Sequence, residues 1–116
     1  MKYELTTIDG IQVIELQGSL EGGWETFQLK EEVNTQLGRG ELRFLIDMHK
    51  ASFVNSTGIG VMVAIQFTVK NSDGAVKFCC LADRVRRSFQ ATGASVWDNM
   101  DVYDSREEAL AGFAKG

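Results

Sequence analysis

A single-domain α/β fold is predicted by three features of the sequence. Two alternating, β-rich segments flank Asp9-Gly10, a dipeptide suited to a tight turn, which reads as an opening hairpin. Two short apolar runs, residues 42–48 and 75–82, enclose a helix-length segment, which reads as a right-handed parallel crossover. The chain's 116 residues suffice for one substantial core and leave little room for a second, so the domain is expected to span 1–116.

Taken in order, "YELTTI" and "IQVIELQG" form the hairpin. Residues 24–40, "WETFQLKEEVNTQLGRG", place Leu29, Val33 and Leu37 four apart on one helical face and end in Gly38 and Gly40. Trp24 and Phe27 lie well round that helix from the stripe, so they pack against an adjacent loop or meet a partner. "LRFLIDM" and "AVKFCCLA" are short buried strands. The segment between them, 56–70, carries two apolar stripes: Val61, Met62, Ile65 and Val69, and beside them Ile59, Val63 and Phe67. One stripe covers the sheet; the other requires neighbouring helices or a partner. "DRVRRSFQATG" sets Val85, Ser88, Phe89 and Thr92 on one face, with Gly93 as a stop. A short strand is expected at Val102 and Tyr103, and Ser105 with Glu108 forms a capping-box pattern before a last helix.

Composition excludes several classes of function. Sixteen acidic and twelve basic residues give a formal charge of −4, the wrong sign for displacing phosphate counterions, so no nucleic-acid role is expected; Arg84, Arg86 and Arg87 read as a solvated helix face. No apolar run approaches a membrane span, and the opening residues lack the apolar segment of a signal peptide, so a cytoplasmic protein without direct membrane insertion is expected. Acid–base catalysis would have to use His49, the one histidine, which stands beyond a predicted strand without a visible carboxylate–histidine–nucleophile pattern. Zinc would require His49 with Cys79 and Cys80, but successive strand residues point to opposite faces, so the two cysteines read as reduced packing residues and no metal is assigned. "GIGVMV" lacks the third glycine of a dinucleotide fingerprint and the lysine of a P-loop. No enzyme and no cofactor are expected.

The stretch "FVNSTGIG", residues 53–60, concentrates the remaining polar chemistry. A helix starting near Ser56 makes Asn55 or Ser56 its N-cap. Gly58 and Gly60 each weaken a helix by up to about 1 kcal/mol relative to alanine, which suggests that something must approach the backbone there. A phosphate on a hydroxyl at this position would meet free N–H groups and the positive end of the helix dipole.

These residues resemble the STAS family, and within it the bacterial anti-sigma factor antagonists. The family's Asp-Ser-Ser/Thr-Gly-Leu/Ile-Gly segment is matched by Asn55-Ser56-Thr57-Gly58-Ile59-Gly60, and its Gly-x-Leu-Asp by Gly18-Ser19-Leu20-Glu21. "ADRVRRSFQATG" and "SREEAL" are similar to later family segments, so the likeness spans nearly the whole chain. The resemblance implies a small mixed sheet with about four helices packed mainly on one face. It also implies partner switching. Unmodified, the protein would bind an anti-sigma factor, a serine kinase of histidine-kinase-like ATPase fold, and release a sigma factor; the kinase would phosphorylate Ser56, with Thr57 a lesser candidate, and a PP2C-like phosphatase would reverse it. Glu21, Trp24, Asn55, Ser56, Thr57, Gly58, Ile59 and Val63 are the partner-binding residues on this reading. Asn55 and Glu21 stand where the family has aspartate; Asn55 keeps the cap and loses a charge. The alternative within the family is a non-switching scaffold or a transporter-associated subunit.

Overall fold

The computed structural model describes residues 2–114; Met1 and residues 115–116, the ends of the expected domain, lie outside the described residues. Strands β1 (Lys2–Ile8), β2 (Ile11–Leu20), β3 (Arg43–Val54), β4 (Ala75–Cys79) and β5 (Val102–Tyr103) form one sheet in sequence order. β1 and β2 are antiparallel and every other pair is parallel, so the sheet is mixed. The hairpin forms where Asp9-Gly10 predicts it, with φ of 51° and 77°, the doubly left-handed turn whose twist matches that of the strands.

Helices α1 (Trp24–Gly38), α2 (Ser56–Asn71), α3 (Asp83–Ala91) and α4 (Ala94–Trp97) follow β2, β3 and β4 and cover one face; α5 (Arg106–Ala114) closes the chain. Strand alternation divides the core accordingly. Ile14, Leu16, Phe44, Ile46, Met48 and Phe78 face the first four helices, meeting Leu29, Val33, Met62, Ile65, Val85 and Phe89. Ile11, Val13, Leu45 and Cys79 face the other way, where α5 supplies Ala109 and Phe113. The expected packing mainly on one face is what the chain adopts, with α4 a single extra turn. Ser105 caps α5, as one half of the expected capping box: its Oγ accepts the Glu108 amide at 3.1 Å and donates to Glu108 Oε1 at 3.3 Å, so the glutamate meets the hydroxyl in place of the backbone N–H.

β3 runs well beyond the apolar run 42–48 from which it was expected. Relative to β2 it carries one extra residue between Asp47 and Lys50 and another between Ala51 and Phe53. These bulges twist the strand end and re-aim its side chains, which hides the two-residue period in "HKASFV". His49 therefore lies inside a strand and not past one. The extension has a functional result: Leu20 and Val54 become register partners, so the carboxyl ends of β2 and β3 lie side by side. In sheets with parallel strands that end is where sites form.

Candidate functional site

The two neighbouring strand ends hold the segments 21–23 and 55–60 together. Leu20 O accepts the Asn55 amide at 3.1 Å. Asn55 is extended, at φ −103°, and caps α2: its Oδ1 accepts the Gly58 amide at 2.9 Å while its carbonyl accepts that of Ile59 at 2.9 Å. A cap of this kind contributes about 1 kcal/mol. Its amide nitrogen also donates to Glu21 O at 3.2 Å, a bond that an aspartate could not make. The departure from the family motif thus ties the start of α2 to the segment after β2.

Ser56 is the first residue of α2, is exposed, and its hydroxyl makes no hydrogen bond among the described residues. With Gly58 and Ile59 satisfied by Asn55, the amides of Ser56 and Thr57 are the open donors of the first turn. Thr57 is exposed too, but its methyl-bearing end lies directly over Gly22, which has φ +81° and no room for a Cβ. Gly58 has a different reason to be glycine than an approaching partner. A Cβ there would overlap the carbonyl of Leu20, so the approach that requires it is internal. At Gly60, by contrast, a Cβ would meet nothing within 4 Å.

The predicted surface residues are placed unevenly. Trp24 is 75% exposed and Phe27 50%, so neither is covered by a loop of this chain. Of the second α2 stripe, Val63 and Phe67 are exposed whereas Ile59 is only 6% exposed. Ile59 lines a shallow depression of about 430 Å³ with Asn55, Ser56, Ser88 and Thr92. One turn earlier on α3, Arg84 lies over the Phe53 ring at 5.2 Å and brings positive charge to the same rim. Ser56, Gly60, Val63 and Phe67 follow one another along the outer side of α2, which runs into a groove of about 490 Å³ against Val76 and Val96.

Behind the sheet stands a polar cluster that sequence spacing gave no means to find. Glu15 and Asp47 are register partners, and Arg106, 59 residues beyond Asp47, bridges them: its Nε donates to Asp47 Oδ2 at 2.8 Å and its Nη2 to Glu15 Oε2 at 3.2 Å. His49 Nδ1 stands 2.9 Å from Asp47 Oδ1, and Lys50 Nζ 3.1 Å from Glu15 Oε1. Burial by itself would raise the Asp47 carboxyl, but the backbone and ring of His49 and the Arg106 guanidinium outweigh it and hold the group below its ordinary value. A carboxyl depressed in the folded state contributes stability that is present above the unfolded pKa, about 3.9, and lost as pH falls through the folded one. The native protein is therefore expected to lose stability below about pH 4 with uptake of a proton that Asp47→Asn does not take up. Equal slopes of unfolding free energy against pH for the two proteins in this window would show that Asp47 is not the group responsible.

The cysteines correct a geometric expectation. Cys80 has φ +66°, and this left-handed residue interrupts the alternation, so both sulfurs lie within 4.8 Å of each other and of an Asp47 carboxylate oxygen. Both are free thiols, and burial, followed by the Cys80 thiol and the Asp47 charge, pushes Cys79 far up.

The family model for the STAS domain matches residues 2–109. The candidate anti-sigma factor antagonist BtrV of Bordetella bronchiseptica is 30% identical over 114 residues, covering 97% of this chain and 95% of its own. Among solved structures, a candidate anti-sigma factor antagonist of Thermotoga maritima superposes with a TM-score of 0.85 at 18% identity, over 95% of this chain and 92% of that one. The Bacillus cell fate determinant SpoIIAA in its phosphorylated form gives 0.74 at 21% identity, over 97% and 99%. At these identities the two structures speak for the fold.

Proposed function

This chain belongs to the STAS domain family, and on that premise we propose that it is an anti-sigma factor antagonist that switches partners through Ser56. With Ser56 unmodified it binds an anti-sigma factor that is itself a serine kinase of histidine-kinase-like ATPase fold, and a sigma factor is released. Phosphorylation of Ser56 by that kinase ends the complex, and a PP2C-like phosphatase restores it. The protein is the substrate of this cycle and not its catalyst.

The observation that carries the reading is the position of Ser56, an unengaged, exposed hydroxyl on the first residue of α2 beside two open amides. A phosphate adds about −1.5 to −2 charges at pH 7 and three acceptor oxygens. At this spot the amides of Ser56 and Thr57 and the helix dipole accommodate it, and Asn55, being neutral, does not repel it. The domain therefore carries the phosphate without unfolding. A partner seated over Ser56, Gly60 and Val63 would have to desolvate that charge, so the modification acts on docking.

Thr57 is the poorer acceptor because its side chain is wedged over Gly22. Phosphate mapping after incubation with the cognate serine kinase is expected to place one phosphate per chain on Ser56. Phosphate found only on Thr57 or elsewhere would refute the assignment.

A further inference from the structure

We propose that Cys79, Cys80 and Asp47 form a three-ligand binding site for a thiophilic divalent cation of the zinc class, on the sheet face opposite α2. Two cysteines adjacent in a strand are ordinarily a poor chelate because they project to opposite sides. Here the left-handed Cys80 puts both sulfurs on one side, within 4.8 Å of each other and of the Asp47 carboxylate. Bond lengths of about 2.3 Å to sulfur and 2.0–2.2 Å to nitrogen or oxygen place tetrahedral donor atoms roughly 3.3–3.8 Å apart. Adjustments of about 1 Å in side-chain positions therefore bring the three donors to one ion.

A second donor group shares Asp47 but includes neither sulfur, so the fourth position of the ion falls to water. Glu15, Asp47 and His49 also have ligand atoms within 4.8 Å of one another, and His49 Nδ1 already stands 2.9 Å from Asp47 Oδ1. Asp47 is thus the hub, buried at 2% exposure, while His49 is exposed and Cys80 only part-buried, which leaves a path from solvent. Two sulfurs in the set favour zinc or cadmium over magnesium or calcium, which take oxygen ligands.

Charge balances with the groups present. Two thiolates and one carboxylate around a divalent cation leave −1, and the Arg106 guanidinium on Asp47 Oδ2 offsets it. In that position Arg106 is the outer partner that fixes the carboxylate's orientation. Glu15 keeps its own cation in Lys50, 3.1 Å away. Each metal–sulfur bond forms as a thiol proton leaves to solvent, two protons per ion, with no change of oxidation state.

The reduced chain titrated with Cd²⁺ should develop a thiolate-to-metal charge-transfer band that saturates at one ion per chain, with release of two protons. An equimolar amount of Zn²⁺ should slow alkylation of Cys80 at least about tenfold in the native protein, a reading that depends on no variant. Cys80→Ser should lose the band, and Asp47→Asn should weaken Zn²⁺ binding by about 10- to 100-fold. Unchanged alkylation at tenfold excess Zn²⁺, a band that survives in Cys80→Ser, or saturation at one ion per two chains would each overturn the proposal.

Discussion

Ser56→Asp is expected to lower affinity for the anti-sigma partner by about 100-fold or more, whereas Ser56→Ala stays within about threefold of the native protein. A hundredfold is about 2.7 kcal/mol, a modest demand for an unpaired carboxylate enclosed in an interface. The alanine variant removes a hydroxyl with no hydrogen-bond partner among the described residues, so it neither disturbs the fold nor introduces charge. Aspartate carries less charge than a phosphate, which makes the 100-fold figure a lower bound for the modified protein. Titration calorimetry with the purified partner gives both values. If the aspartate variant bound as tightly as the alanine variant, control by charge at Ser56 would be untenable.

Gly58→Ala is expected to lose about 1–3 kcal/mol of stability, the range for overpacking a filled site, even though alanine is the better helix former. The new Cβ would overlap the Leu20 carbonyl, a backbone atom locked in β2, so α2 must move away from the strand ends. That shift breaks the arrangement of Leu20, Asn55 and Glu21 that positions Ser56, and partner affinity should fall with stability. Gly60→Ala tests the opposite case. Its Cβ meets open space, so the variant should gain up to about 1 kcal/mol from helix propensity, while the proposed docking over Ser56, Gly60 and Val63 predicts a loss of affinity. Denaturant melts and binding measured on both variants separate the effects. Similar stability changes at the two glycines would contradict the distinct roles assigned to them.

Much of this architecture was legible because it rests on local chemistry. Asp9-Gly10 specifies its own turn, Ser105 its own cap on Glu108, and the spacing of Leu29 and Val33 the face that α1 buries. The motif at 55–60 located the start of α2 and the exposed serine, and resemblance supplied the packing mainly on one face. What escaped detection has a common cause in contacts between distant residues. The length of β3 depends on bulges defined only against β2. The glycine at 58 is explained by the carbonyl of Leu20, 38 positions earlier, and the cluster around Asp47 needs Arg106 from the last helix.

Which of the apolar residues on α2 stay uncovered was equally beyond the sequence. Ile59 and Val63 share a stripe and differ only in what lies opposite: the strand ends and α3 cover the first, and solvent meets the second. The sequence by itself determined the turns, the periods of strand and helix, and the site segment, because each is set by interactions within a few residues. The tertiary structure alone decided that Gly58 serves the fold while Gly60 stays open, and that Cys79 and Cys80 converge on Asp47. Both depend on which backbone comes to lie beside which, and that is a property of the packed sheet and helices.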